Sequence, residues 1–179
     1  MNIREAEFLA RHSSVRVLPE GAKVVHGHFW ARKYEAVENA VRITFLREPV
    51  RRTLSHYFYW LATPAGGHSL HQHVLDTRMD IVTFARLPQM SGFYRDFFFR
   101  DVDLSTFDFV GDGDKLDEEL LRLEDILGVT GPRQAENANP MSGYAQHSQD
   151  VMGNDLVMGE LRDILGPEIE FFHANTTRL

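Results

Sequence analysis

Between Val41 and Ala62 the sequence VRITFLREPVRRTLSHYFYWLA changes its hydrophobic period once, across a single proline, and that change limits the folds open to the chain. Val41, Ile43 and Phe45 alternate with Arg42 and Thr44, the spacing of a strand over 41–46, although Leu46 breaks the alternation. After Pro49, Val50, Leu54, Phe58 and Leu61 recur at i, i+4, i+8 and i+11, one face of a helix. Pro49 suits the first helical position, where a missing N–H costs nothing. Arg51 and Ser55 fall on a different face, one turn apart. A shorter apolar run, AKVV, predicts an earlier strand over 22–26. The first run ends in His26-Gly27-His28 and the second in Arg47-Glu48-Pro49. Ligands of open α/β sheets collect beyond the carboxyl ends of strands, so the imidazoles and the guanidinium are expected to face one crevice.

The remaining pattern alternates helix and strand signals without an internal repeat. Residues 3–12, 69–76, 80–86 and 89–98 read as helices, the last rich in aromatics. FDFVGDGD reads as a strand entering a turn. Asp114 is then expected to cap a helix through Leu127, with Leu116, Leu120, Leu123 and Leu127 on one face and Gly128 ending it. Residues 131–146 read as a polar loop, followed by a helix near 149–165 and a short IEFFHA run. Strands separated by helices predict a parallel sheet, hence an α/β fold in a single domain over 1–179.

Composition narrows the function classes. A chain of 179 residues, 43% hydrophobic, can bury a real core. The net charge of −7 leaves no face-wide basic excess for non-specific nucleic-acid binding. With no cysteine there is no disulfide or thiolate metal site. No apolar run approaches the roughly 20 residues of a membrane span, and MNIREAEFLARH is unlike a secretory signal. The expected location is therefore cytoplasmic.

Each candidate site residue has a functional and a structural reading. Arg47, where a strand gives way to a helix with free N–H groups, either holds an anion or pairs with Glu48 or a neighbouring acid. Ser55 either donates to the same anion or is simply exposed. In an extended backbone His26 and His28 point to one side, with Gly27 permitting close approach. One of them either acts as a general base or is packed while the other is solvated. His68, His71 and His73 lie in or beside a Gly-rich loop without the HExxH spacing of zinc peptidases, and are read as a loop-to-helix junction, not a metal site. The aromatic cluster 93–99 is read as core or interface, and the acids Asp114, Asp117, Glu118 and Glu119 as a solvated helix start.

HGHFW followed by ITFLREPVRRTLSHYFYW resembles the sulfotransferase family, above all the heparan sulfate 2-O-sulfotransferase branch and its bacterial relatives. In that family a strand ends in Arg-Asp-Pro before a helix carrying a Ser, and the Arg and Ser hold the 3′-phosphate of the donor, 3′-phosphoadenosine 5′-phosphosulfate. The resemblance places these roles on Arg47 and Ser55, with Glu48 at the usual Asp. It places the acceptor-activating base on His26 or His28. FDFVGDGDKLDEELLRLEDILG and the loop containing ENANP are similar to later blocks of the family. The likeness covers residues 22–62 well and 107–140 loosely.

The resemblance implies a three-layer sheet flanked by helices, a P-loop-NTPase-like sulfotransferase fold. The family's first strand and its Lys-Thr loop, which cradles the 5′-phosphosulfate, have no counterpart here, so the chain reads as N-terminally truncated. The missing strand is central in related folds. Either Ile169 to Phe172 or another chain, in a homo-oligomer for instance, is expected to fill its slot. The implied activity is transfer of a sulfonate to a hydroxyl, on a carbohydrate acceptor, with no metal. The alternative is a non-catalytic nucleotide- or glycan-binding module that kept the 3′-phosphate half-site. A P-loop kinase relative is disfavoured, because no Walker lysine occurs.

Overall fold

The computed structural model describes residues 21–131 and 139–176 of the chain. The helix expected over 3–12 and most of the loop before Asn139 lie outside them.

The strand–proline–helix unit forms as its periods dictate. Strand β1 spans Ile43–Leu46 and helix α1 spans Pro49–Ala62. The apolar positions Val50, Leu54 and Phe58 of α1 are buried, with Leu61 packed at the margin of the same cluster. Helices α2 (Ser69–Thr77), α3 (Ile81–Ala85) and α4 (Pro88–Ser91) follow. Gly92 separates α4 from a wide, π-type turn over Phe93–Phe98, so the single helix expected over 89–98 is two elements. Strand β2 (Phe109–Asp112) pairs parallel with β1, Ile43 opposite Phe109 and Leu46 opposite Asp112. Helices α5 (Leu116–Leu127), α6 (Tyr144–Met152) and α7 (Asp155–Thr176) complete the described chain.

The fold is thus mixed α/β, mostly helical, with a two-stranded parallel sheet among the described residues. Alternation along the strands directs their two faces to different helices. Phe45 and Phe109 meet in a tilted contact at 5.4 Å on one face, where Arg122 of α5 lies over the Phe109 ring. Leu46 and Val110 point the other way, into a cluster with Tyr94, Phe99, Leu104 and Phe172 of α7. A second cluster gathers α1, α2, α3 and α4 around Met158, Leu161 and Leu165, also from α7. One stripe of α7 therefore serves both clusters, at positions 158, 161, 165 and 172. The position between Leu165 and Phe172 on that stripe is Glu168, which is fully buried.

Four expectations are corrected. Residues 22–26 form no strand: no described strand offers them a ladder, residues 21–28 are all exposed, and Gly27 adopts φ 156°, which bends the segment at the histidine pair. Ile169 to Phe172 are helical within α7 and fill no slot in the sheet. The β-branched and aromatic run after Pro167 suggests a strand, but its side chains continue the helical stripe instead. Asp114 does not cap α5, whose N-cap position is Lys115 without a side-chain bond. Gly128 does end α5, in the left-handed conformation at φ 63°. The helix expected near 149–165 is two helices, α6 beginning within the expected loop at Tyr144 and α7 running on to Thr176.

Candidate functional site: the β1–α1 junction

Arg47 is the first residue past β1. Its amide, beyond the last rung of the ladder, donates to the Tyr94 hydroxyl at 2.9 Å. The next amide, of Glu48, donates to Asp114 Oδ2 at 2.9 Å. Two successive N–H groups are therefore held by side chains from opposite directions, one from the π-type turn and one from the end of β2. Asp114 Oδ1 also receives Arg47 Nε at 3.4 Å, a long contact beside a guanidinium whose side chain is 41% exposed. Such a pair contributes about 0–1 kcal/mol. Among the described residues, Nη1 and Nη2 of Arg47 carry no partner.

Glycine at 113 makes this packing feasible. A Cβ there would meet Arg47 Cγ at 2.8 Å and the Leu46 carbonyl oxygen at 3.3 Å. The Arg47 stem lies in the space a side chain would occupy.

The helix terminus behaves otherwise than expected. Glu48 caps α1 with its own carboxylate, accepting from Val50 N at 3.1 Å and Arg51 N at 2.8 Å. The α1 N–H groups expected to be free are engaged by an acid of the chain. Anion-holding capacity at the junction thus rests on side chains.

Along α1, Arg51 is exposed and Ser55 half-buried, on a face that flanks the core stripe as their spacing requires. Asn139, from the ENANP stretch, reaches this face: its Nδ2 donates to the Ser55 carbonyl at 2.8 Å, and its Oδ1 accepts from Met141 N at 3.0 Å. Arg51 and Ser55 follow Arg47 along α1 from the carboxyl end of β1, and Asn139 holds the main chain at Ser55.

Among the described residues no direct contact joins the histidine pair to Arg47, and of the two His28 alone is linked to the junction, through a chain of aromatic rings. His26 and His28 are both exposed. The His28 ring stands 6.1 Å from Phe98, which packs on Phe93 at 5.0 Å, and Phe93 meets Tyr94 edge-on at 5.3 Å. Tyr94 is the residue bonded to the Arg47 amide. Trp30 ties the histidine segment to the same region by donating from Nε1 to the Arg100 carbonyl at 3.0 Å. Of the aromatic cluster Tyr94 and Phe99 are core and Phe93 and Phe98 pack against them, with the Arg47 amide and the His28 ring both joined to it. Burial raises the Tyr94 pKa above the ordinary phenol value, so the hydroxyl stays protonated.

His68 and His71 have structural work, and His73 is exposed on α2. His68 caps α2 by accepting from His71 N at 3.1 Å, and the His71 ring contacts the Trp60 carbonyl at 2.8 Å while stacking on the Trp60 indole at 4.6 Å. No cluster of three or more His, Asp or Glu side chains suited to a metal ion occurs among the described residues. His56, which the sequence pattern does not single out, sits among Trp60, Phe84 and Phe93. Burial, and then the nearby Arg52 charge, lower its pKa from 6.5 to about 4.

Tyr94, Gly113 and Glu168 were also missed by sequence reasoning. Only Glu168 left a readable signal, a charged residue at an apolar position of a helical stripe.

No family model, curated protein or solved structure matches the chain. Among the described residues no helix is long and apolar enough to cross a membrane.

Proposed function

We propose that the chain is a sulfotransferase-type protein that takes 3′-phosphoadenosine 5′-phosphosulfate as donor and a hydroxyl, on a carbohydrate, as acceptor. The supporting observation is Arg47: it stands at the carboxyl end of a parallel strand, fixed through its amide and Nε, with both Nη nitrogens unengaged among the described residues. A planar fork held in that way suits a phosphate. Ser55 and Asn139, joined at the Ser55 carbonyl, offer further polar groups along α1 for the rest of the nucleotide. In the reaction the acceptor oxygen attacks sulfur in line and its proton passes to the His26 or His28 imidazole. The bond from sulfur to the phosphate oxygen breaks, leaving adenosine 3′,5′-bisphosphate.

Completion of the sheet by a second chain belongs to the same proposal. Val41 and Ile43, beside the edge of β1 that no described strand covers, are 55% and 36% exposed, and apolar edges of this kind invite pairing. Light scattering that finds a monomer at all concentrations would remove that part.

Calorimetry with adenosine 3′,5′-bisphosphate tests the core of the reading. Arg47→Ala is expected to weaken binding by about 1.5–3 kcal/mol, the worth of a hydrogen bond to a charged group. The double substitution His26→Ala, His28→Ala is expected to abolish sulfonate transfer while nucleotide affinity holds. Equal loss of both properties in the histidine variant contradicts the assignment.

A non-catalytic module that binds the nucleotide or a glycan is the second reading. It is favoured by the placement of His26 and His28 in an exposed bend. Binding of the bisphosphate without transfer to any glycan would select it.

A further inference from the structure

The geometry points to Tyr94 as the residue that positions Arg47 for an incoming anion, with Glu168 holding Tyr94 in place. The inference rests on the reading of Arg47 as the phosphate-binding residue. It starts from a carboxylate in an unfavourable location. Glu168 occupies the apolar stripe of α7 with no exposure at all. An unpaired carboxylate there would be strongly destabilised, and an apolar residue of similar volume would commonly stabilise at least as well.

Three donors converge on it. Oε2 accepts from the Tyr94 amide at 2.8 Å and from Arg52 Nη1 at 3.1 Å, and Oε1 accepts from the Arg95 amide at 2.9 Å. Glu168 thereby serves the start of the π-type turn as a cap supplied from another helix. Arg52 completes the arrangement: Nη2 donates to the Met90 carbonyl at 2.8 Å, and its guanidinium carbon lies 4.4 Å from the Phe93 ring centre and 4.7 Å from that of Tyr94. The backbone and the ring of Tyr94 are thus both fixed. What the fixed ring presents at its far end is a hydroxyl at 2.9 Å from the Arg47 amide.

The consequence is a short relay from the core to the junction. Glu168 orients Tyr94, and Tyr94 fixes the main chain of Arg47 where the strand ladder can no longer do so. Asp114 and Gly113 then set the direction of the side chain. π-type turns recur at functional sites because they displace side chains from the places a regular helix would give them. Here the displaced side chain is Tyr94.

Tyr94→Phe removes the hydroxyl and keeps the ring, so the fold is retained. In the ligand-free variant the Arg47 amide, followed by NMR, is expected to exchange with solvent roughly tenfold faster, while amides of Leu161 and Leu165 keep their protection. Affinity for adenosine 3′,5′-bisphosphate is expected to fall roughly five- to tenfold, the equivalent of one net hydrogen bond. Affinity for adenosine 5′-monophosphate, which lacks the 3′-phosphate, should not change. Glu168→Gln, with its charge removed, should raise Arg47 amide exchange in the same direction. Unaltered Arg47 exchange and full bisphosphate affinity in Tyr94→Phe would overturn the positioning role. Wild-type protein that binds the two nucleotides equally would overturn the phosphate assignment of Arg47 instead, and the ligand-free exchange experiment separates that failure from the first.

Discussion

Arg52 and Glu168 face each other at 3.1 Å between α1 and α7, the arginine side chain 7% exposed and the glutamate side chain 0%. The pair ties the first and last helices of the described chain to the π-type turn. It also leaves Arg52 Nε buried without a partner. Removing one member should cost more than removing both. Glu168→Leu strands a buried guanidinium and is expected to destabilise by about 3–5 kcal/mol, whereas Arg52→Met with Glu168→Leu removes the stranded charge and should recover part of that loss, the Tyr94 and Arg95 amides still lacking their acceptor. Urea unfolding of the two singles and the double provides the cycle. Additive single effects would show that the pair is not coupled.

His56 gives the protein a defined response to acid. Its pKa is lowered from 6.5 to about 4, chiefly by burial, so the unfolded chain binds its proton more readily than the folded one. The resulting stability is complete above the unfolded value of 6.5 and is lost as pH falls toward 4. That span corresponds to roughly 3 kcal/mol. Wild-type protein should lose stability through this window, and His56→Phe should lose less by about that amount. An NMR titration of the His56 imidazole with a midpoint near 6.5 would refute the cause.

Two glycines are expected to respond to the same substitution with opposite signs. Gly113→Ala brings a Cβ to 2.8 Å from Arg47 Cγ and 3.3 Å from the Leu46 oxygen. The Arg47 side chain must shift, with a loss of about 1 kcal/mol in stability and a weaker hold on the bisphosphate. Gly159 lies within α7 with no atom near the place of a Cβ, and Gly159→Ala should stabilise by about 0.5–1 kcal/mol through helix propensity. Thermal melts of the two variants measure both effects.

How much of this was legible in the sequence depended on whether a signal was local. The Val41–Ala62 unit reads correctly because period, proline position and burial all agree within one stretch. Its partner strand and the Gly128 stop read correctly for the same reason. The end of α7 misleads, since Gly166-Pro167 followed by IEFF has the local marks of a helix stop and a strand. The helical stripe through Leu161, Leu165 and Phe172 overrides those marks, because its burial against two clusters outweighs the propensity of a few residues. The site is the least local part. Arg47 and Ser55 are singled out by their strand and helix, but the groups that bond their segments, Tyr94, Asp114 and Asn139, lie 47, 67 and 84 positions from the residues they bond. No spacing rule reaches that far. Asp114 was assigned to the nearest helix, whereas it serves the β1–α1 turn.

Asp114 yields the sharpest test of what the junction is for, because its two contacts can be separated chemically. One oxygen holds the Glu48 amide at 2.9 Å and the other meets Arg47 Nε at 3.4 Å. Asp114→Asn retains an acceptor for the Glu48 amide and deletes a negative charge beside the guanidinium. If Arg47 serves an anion, that charge competes with the ligand. Its removal should then tighten bisphosphate binding by roughly 0.5–1 kcal/mol, the range of a partly exposed pair, and more so at low salt. Asp114→Ala removes the acceptor as well, frees the turn, and should weaken binding. Calorimetry at two ionic strengths distinguishes these outcomes. Weaker binding in both variants would mean that the hold of the carboxylate on Arg47 outweighs its competition with the ligand, and that the charge is a required part of the site.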